Sequence, residues 1–325
     1  MILIIDHKET HVSYANNTLC IRRAKEKLQR IPLNLLEQLI VYGNPDIEMS
    51  VWRALSKSSI PSTLLSHRGS QEPAMLGSGL AVRLPLRRLQ FRCAEQKHSA
   101  INIARWIVEQ KFAGYNLLLS CFKHEQQERF RQQRTKITQT LKDVETIEQI
   151  MGLEGALALA WFSLLNHTLD KKWRFSGRNR RPPLDPFNAL LSLSYTLLMS
   201  DIRQVLISEG LDPAFGFLHQ DLPGREALVL DFTELFRGTV DFSVYSYIEQ
   251  LSPEDFSYSE YHGCRLTKKA RPQFYQFWAE FREQCPKIQT TNNGIISFNP
   301  LTEQIRGKII TFRDVLKGQE ENNND

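Results

Sequence analysis

The segment from Gly210 to Arg237 constrains this chain more than any other. It reads Gly-Leu-Asp-Pro-Ala-Phe-Gly-Phe-Leu-His, a short loop, and then Leu-Val-Leu-Asp-Phe-Thr-Glu-Leu-Phe-Arg. Gly210 and Asp212-Pro213 are turn punctuation. The turn delivers His219 at the end of a short apolar run, and a helical pattern begins six residues later. Leu228, Leu230 and Leu235 form its apolar stripe. Asp231 and Glu234 stand at i and i+3 and share one helix face. An imidazole and two carboxylates from one loop–helix unit suit a divalent cation that takes nitrogen and oxygen ligands. The same residues also fit a hydrogen-bonded core histidine beside two solvated acids.

A second stretch weighs against the bland alternative. Glu154 is the only charge between Met151 and Asn166, in a run that otherwise reads as an apolar helix. A carboxylate there is costly to bury unless it is paired or binds a cation. Gly152 and Gly155 flank it, favouring close approach of another backbone over helix stability.

Four blocks in order carry a resemblance. They are Leu-Glu154-Gly-Ala; Arg181-Pro-Pro-Leu-Asp185-Pro-Phe-Asn188-Ala-Leu-Leu; Gly-Leu-Asp-Pro-x-x-Gly-Phe-Leu-His219; and Leu-Asp231-x-x-Glu234-x-Phe-Arg237. Together they resemble the CRISPR-associated integrase and endonuclease family of spacer acquisition, the Cas protein conventionally numbered first. The resemblance implies one magnesium or manganese ion held by Glu154, His219 and Glu234, with Asp231 as a supporting acid. The third ligand position is often Asp in the family and is Glu here, which leaves open whether Asp231 or Glu234 touches the metal. The implied reaction is metal-dependent phosphodiester transesterification, joining prespacer 3′-OH ends to the CRISPR repeat. The implied partners are DNA, a second copy of the chain, and a small companion Cas subunit. A cooperating reverse transcriptase is left open. Arg237, one turn after Glu234, is placed either to contact phosphate or to pair with one of the acids.

Lys171 to Pro183 reads Lys-Lys-Trp-Arg-Phe-Ser-Gly-Arg-Asn-Arg-Arg-Pro-Pro. Its six basic residues, Lys171, Lys172, Arg174, Arg178, Arg180 and Arg181, come without an acid, and it joins the Glu154 helix to one starting at Asp185. The expectation is DNA contact: arginines to phosphate, and Trp173 and Phe175 to unpaired bases. A second basic cluster, Arg83, Arg87, Arg88 and Arg92, fits DNA contact and plain solvation equally.

The expected fold class is α+β, a small β-rich N-terminal domain followed by a larger all-α catalytic domain. The division expected is a β-rich dimerisation domain over 1–80, a linker over 81–90, a helical catalytic domain over 91–285, and a C-terminal extension over 286–325. The Ala-Asn16-Asn17-Thr sequence signals a hairpin, and Asp185-Pro186 an N-cap with proline at the first helical position. In the extension, Asn292-Asn293-Gly294 followed by Ile295, Ile296 and Phe298, and then Lys308 to Phe312, reads as extended structure or a hairpin, and Gly318 to Asp325 as disordered. The five cysteines form no C-x-x-C pair, which argues against thiolate zinc and a disulfide framework and points to a reducing cytoplasm. No apolar run reaches the length of a spanning helix. Two other readings stand beside the integrase: a metal-dependent DNase on branched or single-stranded DNA outside CRISPR, and a non-catalytic DNA-binding scaffold.

Overall fold

The structure, a computed structural model, describes residues 1–23, 26–36, 38–58, 60–65, 74–76, 83–288 and 296–321. The chain divides into two compact units, Met1–Ala81 and Val82–Asp325. The fold class is α+β, a small β-rich unit and then a larger helical one.

The first unit contains β1 (Ile2–Ile5), β2 (Thr10–Ala15), β3 (Thr18–Arg23), β4 (Gln29–Pro32), β5 (Gln38–Tyr42), β6 (Asp46–Ile47), α1 (Met49–Lys57), β7 (Ser62–Leu65) and β8 (Ala74–Leu76). One sheet has the order β1-β5-β7-β8 and the other β4-β3-β2-β6. Asn16 and Asn17 both adopt positive φ, 51° and 59°. That pair of angles makes the two-residue turn whose twist matches a hairpin, and Asn tolerates it. The turn sets the β2–β3 register, Val12 opposite Ile21 and Tyr14 opposite Leu19. Alternation then buries Val12, Leu19 and Ile21 with Ile5, Leu39, Val41, Val51 and Leu55 in one core. The reading of Gly77 and Gly79 as a junction lies outside the described residues.

The second unit contains α2 (Leu84–Glu95), α3 (Lys97–Gly114), α4 (Asn116–Leu119), α5 (His124–Leu141), α6 (Ile147–Thr168), α7 (Pro186–Ser208), α8 (Ala227–Leu235), α9 (Arg237–Ile248), β9 (Phe256–Ser259), β10 (Gly263–Leu266), α10 (Arg271–Glu283), β11 (Cys285–Ile288), β12 (Ile296–Asn299) and α11 (Leu301–Glu321). Residues 84–90 are helical, not linker. Pro85 lies in the first turn of α2, where its missing N–H has no intrahelical partner to lose. α7 starts as expected: the Asp185 side chain accepts from the Asn188 N–H at 2.9 Å, with Pro186 following. It is long and apolar enough to cross a membrane by composition, but 67 % of its most apolar window is buried, as befits a core helix.

The C-terminal segment departs most from its expectation. Lys308 to Phe312 and Gly318 to Glu321 belong to α11; residues 322–325 lie outside the described set. Leu301, Ile305, Ile309, Phe312 and Leu316 recur at helical spacing and are all buried. Burying side chains of this size stabilises by about 1.5–3 kcal/mol each, more than the weak β preference of Ile309-Ile310-Thr311 can oppose. The Phe312 ring packs edge-on against Phe217, 5.7 Å between centroids, and Phe232, 5.2 Å. The last helix therefore buttresses both the loop that carries His219 and the helix that carries the two acids.

Candidate active site

The histidine loop, between α7 and α8, is held from several sides. Gln90 of α2, fully buried, donates to the carbonyls of Asp212 and Phe215 at 2.9 and 2.8 Å and accepts from the Asp212 N–H. Asp221 accepts from the Gly216 N–H. Gly216 is required by proximity: a Cβ there would lie 2.7 Å from Ala227 Cβ and 2.9 Å from Asp231 Oδ2. That approach sets the next three amides on one carboxylate. Phe217 and Leu218 donate to Asp231 Oδ2 at 2.6 and 3.1 Å, and His219 N–H donates to Oδ1 at 3.0 Å. His219 Nδ1 stands 2.7 Å from the same Oδ1. An ionised carboxylate only accepts, so Nδ1 is the donor, and in the neutral ring Nε2 is then the lone-pair nitrogen. Asp231 is wholly buried, and its two oxygens each accept two hydrogen bonds.

Glu154 on α6 and Glu234 on α8 meet at one cation. Lys111 Nζ donates to Glu154 Oε1 and, at 2.6 Å, to Glu234 Oε2. Arg237 grips Glu234 from the other side, Nε to Oε2 at 2.5 Å and Nη2 to Oε1 at 2.6 Å. Burial pushes the Glu234 carboxyl up, but Arg237 and Lys111 together outweigh it and hold it well below the usual carboxylate range. Glu234 in turn holds the buried Arg237 guanidinium above its ordinary value against the pull of burial. Of the two alternatives left open for Arg237, the structure shows the pairing with Glu234. Lys111 reaches Glu234 because α3 ends against the α8–α9 junction. A Cβ on Gly238 would lie 2.2 Å from the Gly114 carbonyl oxygen, so a side chain there would force the helices apart.

Sequence reasoning missed Lys111. It falls on the buried stripe of α3 with Ile101, Ala104, Ile107 and Val108, and a lysine on an apolar stripe is itself a signal that acids lie opposite. It also missed Asp241 on α9. That wholly buried acid accepts from Tyr195 Oη at 2.5 Å and Trp161 Nε1 at 2.7 Å, and burial raises its pKa. Arg237 lies over the Tyr195 ring, 4.8 Å from its centroid, linking this acid to the Glu234 cluster.

The basic loop divides into two classes. Lys171, Lys172, Arg174, Arg180 and Arg181 are exposed. Arg178 instead donates to Asn188 Oδ1 at 2.8 Å and Ser192 Oγ at 3.2 Å and lies over Tyr195; burial lowers it to about 10. Trp173 and Phe175, expected to stack on bases, are 0 and 6 % exposed. They sit in the core beside Phe256 and Phe187, because two large rings gain more there than on a solvated loop. In the second basic cluster, Arg83 pairs with Glu209 and Arg92 with Glu320, while Arg87 is buried.

Among the described residues, no three His, Cys, Asp or Glu side chains form a ready-made metal cluster. The two carboxylates nevertheless fit a cation: Glu154 and Glu234, from different helices, already converge on one positive charge, and His219 Nδ1 is engaged by Asp231, which in the neutral ring leaves Nε2 as its lone-pair nitrogen.

The family model for CRISPR associated protein Cas1 matches residues 3–280. A CRISPR-associated endonuclease Cas1 of Chlorobaculum tepidum is 32 % identical over 283 residues, 83 % of this chain and 82 % of that protein. A casposase bound to its integration product superposes with a TM-score of 0.81 at 21 % identity, covering 98 % of this chain and 91 % of the casposase chain. A chain of a Cas6-RT-Cas1–Cas2 complex gives 0.79 at 21 % identity, over 98 % of this chain and 35 % of that one. At such identity the two structures speak to a shared fold. The family match spans most of the sequence, and the relative is similar over most of both lengths: this chain belongs to the Cas1 family of CRISPR associated proteins.

Proposed function

We propose that this chain is the DNA endonuclease and integrase of CRISPR adaptation, joining prespacer 3′-OH ends to a repeat with the aid of one divalent cation, magnesium or manganese. The observation that carries this reading is the convergence of Glu154 and Glu234 on a single positive charge. Those two residues and His219, through Nε2, are the groups that would hold the ion. When bound, it would supply Lewis-acid stabilisation of charge at the reacting phosphodiester. Asp231 fixes the His219 tautomer, and Arg237 fixes the orientation of the Glu234 carboxylate. In the exchange the prespacer 3′-oxygen forms a bond to phosphorus, and the repeat strand's 3′-oxygen leaves. The proton lost by one hydroxyl is regained by the other. One diester replaces another, so no nucleotide cofactor is consumed.

The casposase solved bound to its integration product supports strand joining, and the neighbour solved in a complex with Cas2 supports a companion Cas subunit. A homodimer built through the β-rich unit follows from the family resemblance. A supercoiled plasmid carrying a repeat, mixed with duplex ends bearing 3′-OH, tests the activity. Strand joining is expected with manganese or magnesium, lost in excess EDTA and restored by added metal. Scission without joining would make the protein a DNase instead, and full joining in EDTA would remove the metal from the mechanism.

The exposed arginines of the basic loop are assigned to the DNA backbone. Replacing Arg180 and Arg181 with alanine is expected to weaken duplex binding regardless of sequence. It should also flatten log K against log salt by about 0.9 for each phosphate that is no longer neutralised. Arg178→Ala should lower stability and leave that slope nearly unchanged, because its guanidinium is engaged by Asn188 and Ser192. Titrations at several salt concentrations check both; an unaltered slope in the double variant would return the loop to plain solvation.

A further inference from the structure

The catalytic assignment leaves Lys111 without a task, yet the residue lies at the centre of the cluster. It is 3 % exposed, and its ammonium joins Glu154 of α6 to Glu234 of α8. With the two carboxylates ionised, Lys111 and Arg237 balance them, so the four-residue cluster is already neutral. Two consequences follow. Without Lys111, two carboxylates brought to one point would repel, strongly so for a pair largely withdrawn from water. With Lys111 in place, a divalent ion entering between the same oxygens would add two positive charges to a neutral, largely buried site. An ammonium and a metal ion cannot occupy one position between two carboxylates. Arg237 need not move, since it holds Glu234 from the opposite side.

Resting on the assignment of Glu154 and Glu234 to the cation, we propose that Lys111 is a tethered counter-ion. Its ammonium holds the two carboxylates together while no divalent ion is bound, and it withdraws from between them when one enters. It is a positioning residue: it keeps α3, α6 and α8 docked around an empty ligand set, and it makes metal entry an exchange of one charge for another. The site therefore binds metal more weakly than its carboxylates alone would, and folds without metal more readily than they would allow.

Two measurements test this without reference to turnover. In crystals of the unaltered protein soaked in manganese, an anomalous peak is expected at Glu154 and Glu234, with Lys111 Nζ no longer bonded to both. A peak there with Lys111 still bridging the two would overturn the inference and leave the metal assignment standing. No peak at either carboxylate would overturn both. In solution, manganese binding to Lys111→Met, followed by the paramagnetic resonance of the free ion, should tighten by roughly tenfold, the scale of a coupling between adjacent charged sites. The variant should melt lower than the unaltered protein without metal and gain more on metal addition. Unchanged or weaker manganese binding in the variant would overturn the inference. If the variant fails to fold, the soaked crystal of the unaltered protein still decides.

Discussion

Glutamine in place of Glu234 is expected to abolish strand joining and to lower the stability of the helical unit sharply, whereas the same change at Glu154 should abolish joining with much less effect on folding. The activity loss is expected to be similar because both carboxylates are assigned to the cation. A metal contributes several kcal/mol of charge stabilisation in such reactions, so losing its hold should cost roughly a thousandfold in rate or more. Stability separates the two. Glu234 is 5 % exposed and is bound by both Arg237 and Lys111. Removing its charge leaves the buried Arg237 without its acid and Lys111 with only Glu154 of the two acids it bonds, and breaking a buried pair from one side costs about 3–5 kcal/mol. Glu154 is 22 % exposed and, among the described residues, bonds Lys111 alone. In Glu154→Gln, Lys111 keeps Glu234, and solvent relieves part of the loss. Strand-joining assays paired with thermal melts of both variants check this. Equal destabilisation would show that the charge network around Glu234 is not what holds α3, α8 and α9 together.

The parts of the site that were legible in the sequence are those whose partners lie close along the chain. Asp231 and Glu234 share a helix face because they are three residues apart. His219 can meet Asp231 because a short loop with turn residues at both ends returns it. Asp185 caps α7 through the amide of Asn188, again three residues on. What the sequence could not disclose is which distant side chain neutralises which. Lys111 lies 43 residues before Glu154 and 123 before Glu234, and only the packing of α3 against the α8–α9 junction brings them together. The basic loop misled for the opposite reason. Its composition suggested one DNA-facing surface with its aromatics outward, but Asn188 gathers it from below. The Asn188 side chain donates to the Gly177 carbonyl at 2.8 Å and accepts from Arg178 and the Asn179 N–H. That turns Trp173 and Phe175 inward and leaves the remaining cations outside. The C-terminal helix was obscured because a short β-branched run masks a stripe that becomes evident only over about four turns.

Asp231→Asn is the variant on which the division of labour between the two acids depends. An ionised carboxylate offers about four lone-pair positions. Asp231 has all of them engaged, by the Phe217, Leu218 and His219 amides and by His219 Nδ1. It has no acceptor capacity left for a metal, which favours Glu234 as the ligand. It also makes Asp231 more than a support for the imidazole, because the same carboxylate folds the loop. Asparagine keeps one oxygen and turns an NH₂ toward groups that are themselves donors. Two charge-assisted hydrogen bonds would go, each contributing about 1.5–3 kcal/mol, and donor would face donor. The expected result is a loss of at least about 3 kcal/mol in the helical unit. Hydrogen-exchange protection of the amides at 217–219 should fall, and the His219 ring should be free to change tautomer. Activity should drop with it, and added manganese should restore little, since the defect lies in the loop rather than in an affinity that mass action can raise. An ordinary supporting carboxylate would behave differently, losing roughly 10- to 100-fold in affinity or rate with the fold intact. Melting, amide exchange and a manganese titration on the same variant decide between them. An unchanged melt with protected amides and lost manganese binding would make Asp231 the metal ligand and return Glu234 to a structural salt bridge.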